Sequence, residues 1–521
     1  MNLITEETSA AEIVERCPSA RRIFDKHGLR GCGGAHGPSE SLKFFADVHQ
    51  VEIRTLLAEL NAELQNPAES YSYRESLPDF IYRRFFKAGI AVALTVGALW
   101  GAVNLAQIAL GKTFLQLRLV PSIHAHAHAM IFGWVGLFVM GFAYQSFPRF
   151  KNTMLWKPHL ANLSFYLMLS GIAARMAAEM TLHSEAAMAL GVFAAAVELI
   201  AILLFLTIII NTARQSVEPH NKYEKFIFAS FFWFLAQAVL SDVFFFAKAT
   251  AVGQQELIRR IALIDGPLRD IQVIGFATLI IAGVSQRFVP LVYGLERPKR
   301  DRQMLIFTLI NASLLLDIAS YVAVLTTGNL KFVAGLEIAY ILFPIWAVML
   351  ARQLGIWSAP RQPDRTWKFI RAAYAWLIVA MAMMPFFPVY SVLMHQGFAH
   401  SYMGSHRHAI TVGFISMMIL GVSSRVVPIL AGVSGERISR LTGPFVLINL
   451  GCAGRVVLQV LTDFVPQIAF PLVGLTGFVE VVALAWWGVE LWRTMNLAKT
   501  HRAALLPAPP TPQSPFPILA R

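Results

Sequence analysis

The stretch HAHAHAMIFGWVGLFVMGFAYQSFP, residues 124–148, places three histidines at the start of a long apolar run. A second stretch of the same kind, HRHAITVGFISMMILGVSSRVVP, covers residues 406–428. A helix that crosses a lipid bilayer takes about 20 predominantly apolar residues. Each stretch is therefore predicted to be a membrane helix that carries imidazoles at one end, namely His124, His126, His128, His406 and His408.

The composition of the chain is typical of a membrane protein. Of the 521 residues, 56% are hydrophobic and only 14% are charged, and the mean hydropathy is +0.56. Soluble proteins carry roughly 25% charged residues. From about residue 84 onward there are twelve apolar stretches of spanning length, of which 126–148, 270–293 and 406–430 are the second, sixth and tenth. We therefore predict an all-α polytopic membrane protein with about twelve transmembrane helices.

The net charge of +13 does not indicate a nucleic-acid partner, because the basic residues are scattered between the apolar stretches. With the N-terminus inside, the inner loops hold more Lys and Arg than the outer loops, as the positive-inside rule requires. We therefore expect a multi-pass protein of the bacterial inner membrane, surrounded by lipid, with both termini in the cytoplasm. Both histidine clusters then lie near the outer face. The polar, partly acidic N-terminus is not a signal peptide.

The chain divides into four predicted parts. Residues 1–66 read as a small helical domain, since amphipathic segments flank a glycine-rich turn. Residues 67–83 are predicted to be a linker, and residues 84–495 the membrane domain. Residues 496–521 are Pro-rich and predicted to be disordered. The three cysteines, Cys17, Cys32 and Cys452, are too few for a disulfide framework.

An internal repeat links the second, sixth and tenth stretches. Gly283-VSQ-Arg287-FV-Pro290 matches Gly421-VSS-Arg425-VV-Pro428, and Gly141-FAYQSF-Pro148 is a weaker third copy. The prolines lie 142 and 138 residues apart (148 to 290 and 290 to 428). A repeat on this scale indicates duplicated structural units. We predict three units of four helices each, arranged around a pseudo-threefold axis.

Imidazole is a common ligand of haem iron and of copper. Because an α-helix turns about 100° per residue, residues two apart point to nearly opposite sides. His406 and His408 are therefore expected to ligate two different groups, one on each flank, and the same holds for His126 and His128. His124 and His128 are four apart, share a face and could form a metal pair. Two haems, or a haem and a copper, are compatible with this pattern.

The sixth stretch has no histidine at the corresponding end, where Asp270 and Gln272 stand instead. We expect Asp270 to be a helix N-cap. Ionisable residues within membrane helices are functional candidates by default. Candidates of this kind are Arg175, Glu179, Glu198 and Asp317.

Twelve spans with His-x-His opening the tenth and a histidine opening the second resemble haem-copper oxidase subunit I. That resemblance implies that His126 and His408 hold a low-spin haem and that His406 is the proximal ligand of a second haem. The copper ligands that this family places on the sixth and seventh spans are absent here. Oxygen reduction is therefore not the implied activity.

A closer resemblance is to the NnrS family, haem- and copper-containing membrane proteins linked to the nitric oxide response. Two stretches carry it, His126-Ala-His128-Ala-Met130-Ile-Phe132-Gly133 and His408-Ala-Ile-Thr411-Val-Gly413. The second is followed by Met417, Gly421 and Arg425. The family's usual Glu after the second histidine is Ala129 here, and its later His-Thr-Gly is replaced by Val-Pro428-Ile-Leu-Ala-Gly.

The first 65 residues resemble the small helical domain at the start of ScdA-type iron-centre repair proteins. The matching residues include His27-Gly28-Leu29 and Cys32-Gly-Gly. That family shows two cysteines in the turn, whereas only Cys32 is present here. Cys32 is therefore a candidate reactive thiol or target of nitric oxide.

These resemblances imply a membrane haem protein, with haem of b type and copper as a possible second metal. Its expected ligand is nitric oxide or another small diatomic molecule. Three alternatives stay open: a divergent quinol-dependent NO reductase or oxidase, a transporter without haem, and a sensor that reports through the N-terminal domain. Whether the protein is an enzyme, and which electron donor it uses, the sequence does not decide.

Overall fold

The computed structural model describes residues 4–29, 37–38, 40–49, 51–67, 77–114, 116–361, 364–395, 399–433 and 440–503. Cys32 and the chain beyond residue 503 lie outside the described residues, so the predictions made for them stay predictions. The described parts are helical, and their only β pairing is a single bridge between Ser9 and Ser41.

Twelve helices of the described chain are long and apolar enough to cross a membrane, which confirms the predicted all-α polytopic architecture. Numbered in chain order as spans 1 to 12, they are Leu77–Gly111, Leu117–Phe150, Pro158–Met180, Glu185–Arg214, Lys222–Ala249, Gln254–Tyr293, Arg300–Thr327, Leu330–Gln353, Trp367–Leu393, His400–Ala431, Thr442–Leu461 and Pro466–Leu497.

Spans 2, 6 and 10 form the centre of the bundle. Their most apolar segments are 78%, 78% and 67% buried, whereas those of the other nine spans are 28–50% buried. A helix buries that much of its surface only when other helices surround it, since a helix at the edge leaves one face to lipid. The three central spans are the three that the repeat pattern marks as equivalent.

The central helices begin before their apolar stretches do. Span 2 begins at Leu117, span 6 at Gln254 and span 10 at His400. The histidine clusters therefore lie inside continuous helices and not in their first turns. The prediction that Asp270 is an N-cap is wrong, because the polar segment before it is itself helical. Its carboxylate caps no backbone N–H there.

Each central helix contains a π-helical segment at the same place, namely Ala129–Gly136, Ile271–Thr278 and Ala409–Ser416. In each, 19 residues separate the start of the segment from the repeated proline (129 to 148, 271 to 290 and 409 to 428). π-Helical turns are rare and occur frequently at functional sites. In spans 2 and 10 the segment begins directly after a histidine, His128 or His408.

Glycines allow the preceding span of each unit to lie close against the central helix. A Cβ atom on the repeated glycine would lie 2.6–2.9 Å from a phenylalanine Cβ, the pairs being Gly141 with Phe85, Gly283 with Phe226 and Gly421 with Phe369. Only glycine permits so close an approach. The same contact in spans 1 and 2, 5 and 6, and 9 and 10 supports the predicted division into three four-helix units.

The N-terminal domain is a separate helical unit with its own core. Its α-helices are Ala10–Arg16, Arg21–Lys26, Leu42–His49 and Ile53–Gln65, and a short 3₁₀ turn spans Pro18–Ala20. Ile13, Phe24, Leu42, Leu56 and Leu60 are fully buried within it. These apolar residues recur at helical spacing, which is why the amphipathic pattern predicted helices here.

This domain contacts the ends of the central spans that lie opposite the histidine clusters. The Glu40 carboxylate lies 2.6 Å from Nη2 of Arg425, and Nε of Arg425 lies 3.3 Å from Asp364. The Arg425 guanidinium also lies over the ring of Phe44, 5.5 Å from its centre. Because Arg425 belongs to span 10, this group of charges fixes the domain to the bundle.

His49, at the end of the helix Leu42–His49, makes this contact sensitive to pH. Burial, aided by Arg287, Arg149 and His27, lowers the pKa of His49 to about 3. In the unfolded domain the pKa of His49 is near 6.5. Below that pH the His49 imidazole therefore binds a proton in the unfolded domain but not in the folded one. The stability contributed by neutral His49 is therefore fully present above pH 6.5 and falls as the pH drops below it.

Between pH 7 and pH 5 the wild type should lose about 2 kcal/mol of domain stability through His49, and His49→Gln should not lose it. Hydrogen exchange of the helix Leu42–His49 measures this difference. The variant must be compared with the wild type because Glu40 also titrates. Burial raises the pKa of Glu40, so protonation of Glu40 favours the folded domain as the pH falls, which is opposite to the effect of His49. His159→Gln, at an exposed histidine near the start of span 3, is the control and should give the same exchange as the wild type. A His49→Gln protein with the wild-type pH dependence would contradict the assignment.

Candidate functional site

His126, on span 2, is held in one orientation by the backbone of span 1. Its Nδ1 atom lies 2.9 Å from the Gly97 carbonyl oxygen. A carbonyl can only accept, so Nδ1–H donates and Nε2 keeps its lone pair. Space for the ring exists because residue 101 is a glycine: a Cβ there would lie 2.4 Å from Cε1 of His126. The free lone pair is the one that a metal would take.

His408, on span 10, is oriented in a similar way. Its ring makes a hydrogen bond to the backbone of Gly404, one turn earlier in the same helix. His126 lies near enough to His408 for the two imidazoles to interact electrostatically. Both residues are half-buried, although they lie within central spans. The fold therefore brings together the two histidines that sequence comparison paired across 282 residues (126 to 408).

Arg455, on span 11, lies beside both of these histidines. Its Nε and Nη1 atoms are buried and have no hydrogen-bond acceptor among the described residues. The Oε1 atom of Glu480, which interacts with Arg455, is likewise buried without a donor. Buried donors without acceptors are costly and rare in native proteins. An anionic group between the histidines and Arg455 would satisfy them.

His406 is 3% exposed, and neither of its ring nitrogens has a hydrogen-bond partner among the described residues. A neutral imidazole carries one N–H and one lone pair, so both are left unused. His408, two residues on, uses a different flank of the helix, as the helical phase predicts. His406 is therefore a second candidate ligand, directed at a different group.

His128 has a protein partner. Its Nε2 atom lies 2.9 Å from Oε1 of Glu198, and both side chains are buried. Arg175 forms an ion pair with Asp242 in the same region. The Nε2 atom of His128, which was predicted as a metal ligand, is therefore already hydrogen-bonded to a carboxylate.

The side chains around His128 and those around His408 occupy equivalent positions in the first and third units. His128, Arg175 and Glu198 correspond to His408, Arg455 and Glu480, at offsets of 280, 280 and 282 residues. The glycines agree, because a Cβ on Gly171 would meet Glu198 and one on Gly451 would meet Glu480. In the second unit the same positions hold Asp270, Asp317 and Tyr340, and the two aspartates share a hydrogen bond.

His124 belongs to a buried ion network. Its Nδ1 atom lies 3.0 Å from Nζ of Lys248, which lies 2.6 Å from the Glu179 carboxylate. Its Nε2 atom lies 3.9 Å from Asp265, which also pairs with Arg269 at 3.0 Å and Arg407 at 3.1 Å. Both ring nitrogens of His124 therefore face protein groups. The predicted metal pair of His124 and His128 is divided between two separate networks.

The described residues contain no group of three or more His, Cys, Asp and Glu side chains arranged to hold a metal ion. A haem between two axial histidines requires only two such ligands. The sequence interpretation noted Arg175, Glu179, Glu198 and Asp317 as buried charges. It missed Lys248, Asp265, Arg455 and Glu480; of these, Arg455 and Glu480 follow from the repeat offset applied to Arg175 and Glu198.

A family model described as NnrS protein matches residues 79–498, which include nearly all of the twelve-span region and exclude the N-terminal domain. No curated protein matches the chain.

Proposed function

Because the chain belongs to the NnrS family, we propose that it is a membrane haem protein of the nitric oxide response, with one haem of b type held by His126 and His408. The observation that carries the proposal is the pair of oriented imidazoles beside the buried, unsatisfied donors of Arg455. Haem would match both features of this pocket. Its iron would be ligated by the two imidazoles, and its anionic propionates would accept hydrogen bonds from Arg455.

Each residue of the pocket has a distinct part in the proposal. The Gly97 carbonyl fixes the tautomer and ring plane of His126, which is how second-shell groups orient metal ligands. Gly101 leaves the space that the ring requires. Arg455 places a positive charge where propionates would lie, and Glu480 limits that charge. His128 stays with Glu198 and is not a ligand in this proposal.

His406 is proposed to hold a second group, haem or copper, on the other flank of span 10. An iron held by His126 and His408 would supply electron transfer, whereas a metal held by His406 would supply a site for nitric oxide or another diatomic molecule. Both nitrogens of His406 are buried and have no hydrogen-bond partner among the described residues, which supports a ligand there.

The purified protein, prepared with its lipids in mild detergent, tests this proposal. We expect a pyridine haemochrome spectrum of b type and at least one haem per chain, with copper measured by elemental analysis in the same sample. Folded protein, judged by a single symmetric peak in size-exclusion chromatography, that contains neither haem nor copper after expression with a haem precursor would refute it.

A further inference from the structure

A cavity of about 150 Å³ lies between the N-terminal domain and the adjoining ends of spans 2, 6 and 10. Its walls are mainly apolar, with Phe45 from the domain and Phe142, Phe288 and Ile429 from the three central spans. An apolar cavity of this volume can bind a molecule the size of benzene. None of the residues of the proposed haem site lines this cavity.

Arg287 places a positive charge on the wall of this cavity, and Glu40 is the only acid among its described lining residues. Glu40 is already held by Arg425 at 2.6 Å. Among the described residues no carboxylate lies within ion-pair distance of Arg287, whose Nη1 atom donates to the Tyr223 hydroxyl at 3.1 Å. A positive charge on a largely apolar wall favours an anionic occupant.

His49 adds a neutral polar group to the same wall. Since the pKa of His49 is lowered to about 3, its imidazole is uncharged at physiological pH and can donate or accept a hydrogen bond. Its ring stacks on Phe45, with 4.2 Å between the ring centres. The polar end of the cavity thus offers the guanidinium group of Arg287 and one imidazole.

A second, apolar cavity of about 80 Å³ adjoins the first. The two share Phe142 and Phe288 as lining residues. Most of the second cavity is lined by the central spans, with Ile280, Val284 and Met418 among its walls. Polar groups therefore lie at the domain end and apolar surface extends toward the membrane interior.

We propose that this cavity binds a small carboxylate with a compact apolar body. The carboxylate lies against Arg287 beside His49, and the apolar body packs on Phe142 and Phe288. Guanidinium groups bind carboxylates through charge-assisted hydrogen bonds, which are roughly twice as strong as neutral ones. Because the site is formed by both the N-terminal domain and the central spans, its occupant stabilises their contact by linkage.

Benzoate and its neutral isostere benzamide test the proposal, by isothermal titration calorimetry on the full-length protein in neutral detergent. We expect benzoate to bind about tenfold more tightly than benzamide, since only benzoate forms an ion pair with Arg287. Arg287→Gln should weaken benzoate binding about tenfold and leave benzamide binding unchanged. Arg297→Gln, at an exposed arginine after the same span, is the matched control and should bind like the wild type.

A second variant covers the case in which Arg287→Gln does not fold. Leu291→Trp fills the cavity without removing a charge, and it should abolish binding of both molecules. Equal affinities for benzoate and benzamide would overturn the proposal. So would benzoate binding that survives in folded Leu291→Trp, or folded wild-type protein that binds no benzoate. None of these results depends on whether haem is bound.

Discussion

Replacement of His408 by alanine is expected to abolish the low-spin haem spectrum of the purified protein. The proposed haem has two axial ligands, and the substitution removes one while the Gly97 carbonyl still orients the other, His126. An iron left with a single imidazole becomes high-spin, so the change should be complete and not partial. Visible absorption and electron paramagnetic resonance of the oxidised protein measure it, and His126→Ala should give the same result.

Two control variants separate this ligation from its nearest alternatives. His128→Gln retains a hydrogen-bond donor for Glu198 and should keep the low-spin spectrum, although the sequence pattern alone made His128 an equal candidate. His400→Ala, at an exposed residue two turns earlier in span 10, should also keep it. A low-spin spectrum that persists in His408→Ala, or disappears in His128→Gln, would show that the ligands are assigned wrongly.

The architecture was predictable because it is encoded locally. Each span is an apolar segment of bilayer length, and the repeated motif ending at Pro290 and Pro428 marks equivalent helices. Helix ends were less predictable, because a polar amphipathic segment such as Gln254–Asp270 extends a span beyond its apolar part. The π-helical segments were not predictable from periodicity, since they change the helical phase through tertiary packing.

The choice among five histidines could not be made from sequence, because it depends on distant partners. Glu198 occupies His128, and Lys248 with Asp265 occupies His124. These contacts join residues 70 to 141 positions apart (128 to 198, 124 to 248 and 124 to 265). The prediction from helical phase, that neighbouring histidines serve different flanks, stays a prediction. Tertiary contacts then leave His126, His406 and His408 with lone pairs that no described side chain uses.

The three equivalent pockets differ in the pairings that their side chains make. In the first unit, Arg175 pairs with Asp242 and His128 with Glu198, although Nε and Nη1 of Arg175 have no acceptor among the described residues. In the second unit, Asp270 and Asp317 share a hydrogen bond. Among the described residues, His408, Arg455 and Glu480 of the third unit lack such ion pairs, and His126 of the first unit lies near them. The duplicated positions have thus diverged in how their charges are paired.

Replacement of Lys248 by methionine is expected to lower the free energy of unfolding by about 3–5 kcal/mol. Lys248 is fully buried and donates both to the Glu179 carboxylate at 2.6 Å and to Nδ1 of His124 at 3.0 Å. Methionine has a similar volume, so packing changes little, but Glu179 becomes a buried charge without its partner. Unfolding by sodium dodecyl sulfate in mixed micelles, followed by tryptophan fluorescence, measures the loss.

A double variant distinguishes loss of the ion pair from loss of packing. Lys248→Met combined with Glu179→Leu removes both charges and should recover part of the lost stability, because a buried pair replaced by apolar groups is often neutral. The remaining deficit, about 1–3 kcal/mol, is the cost of His124 Nδ1 without a donor. Lys331→Met, at an exposed lysine, should change stability by less than about 0.5 kcal/mol. If Lys248→Met and the double variant are equally unstable, the pair does not hold the spans together, and packing around residue 248 does.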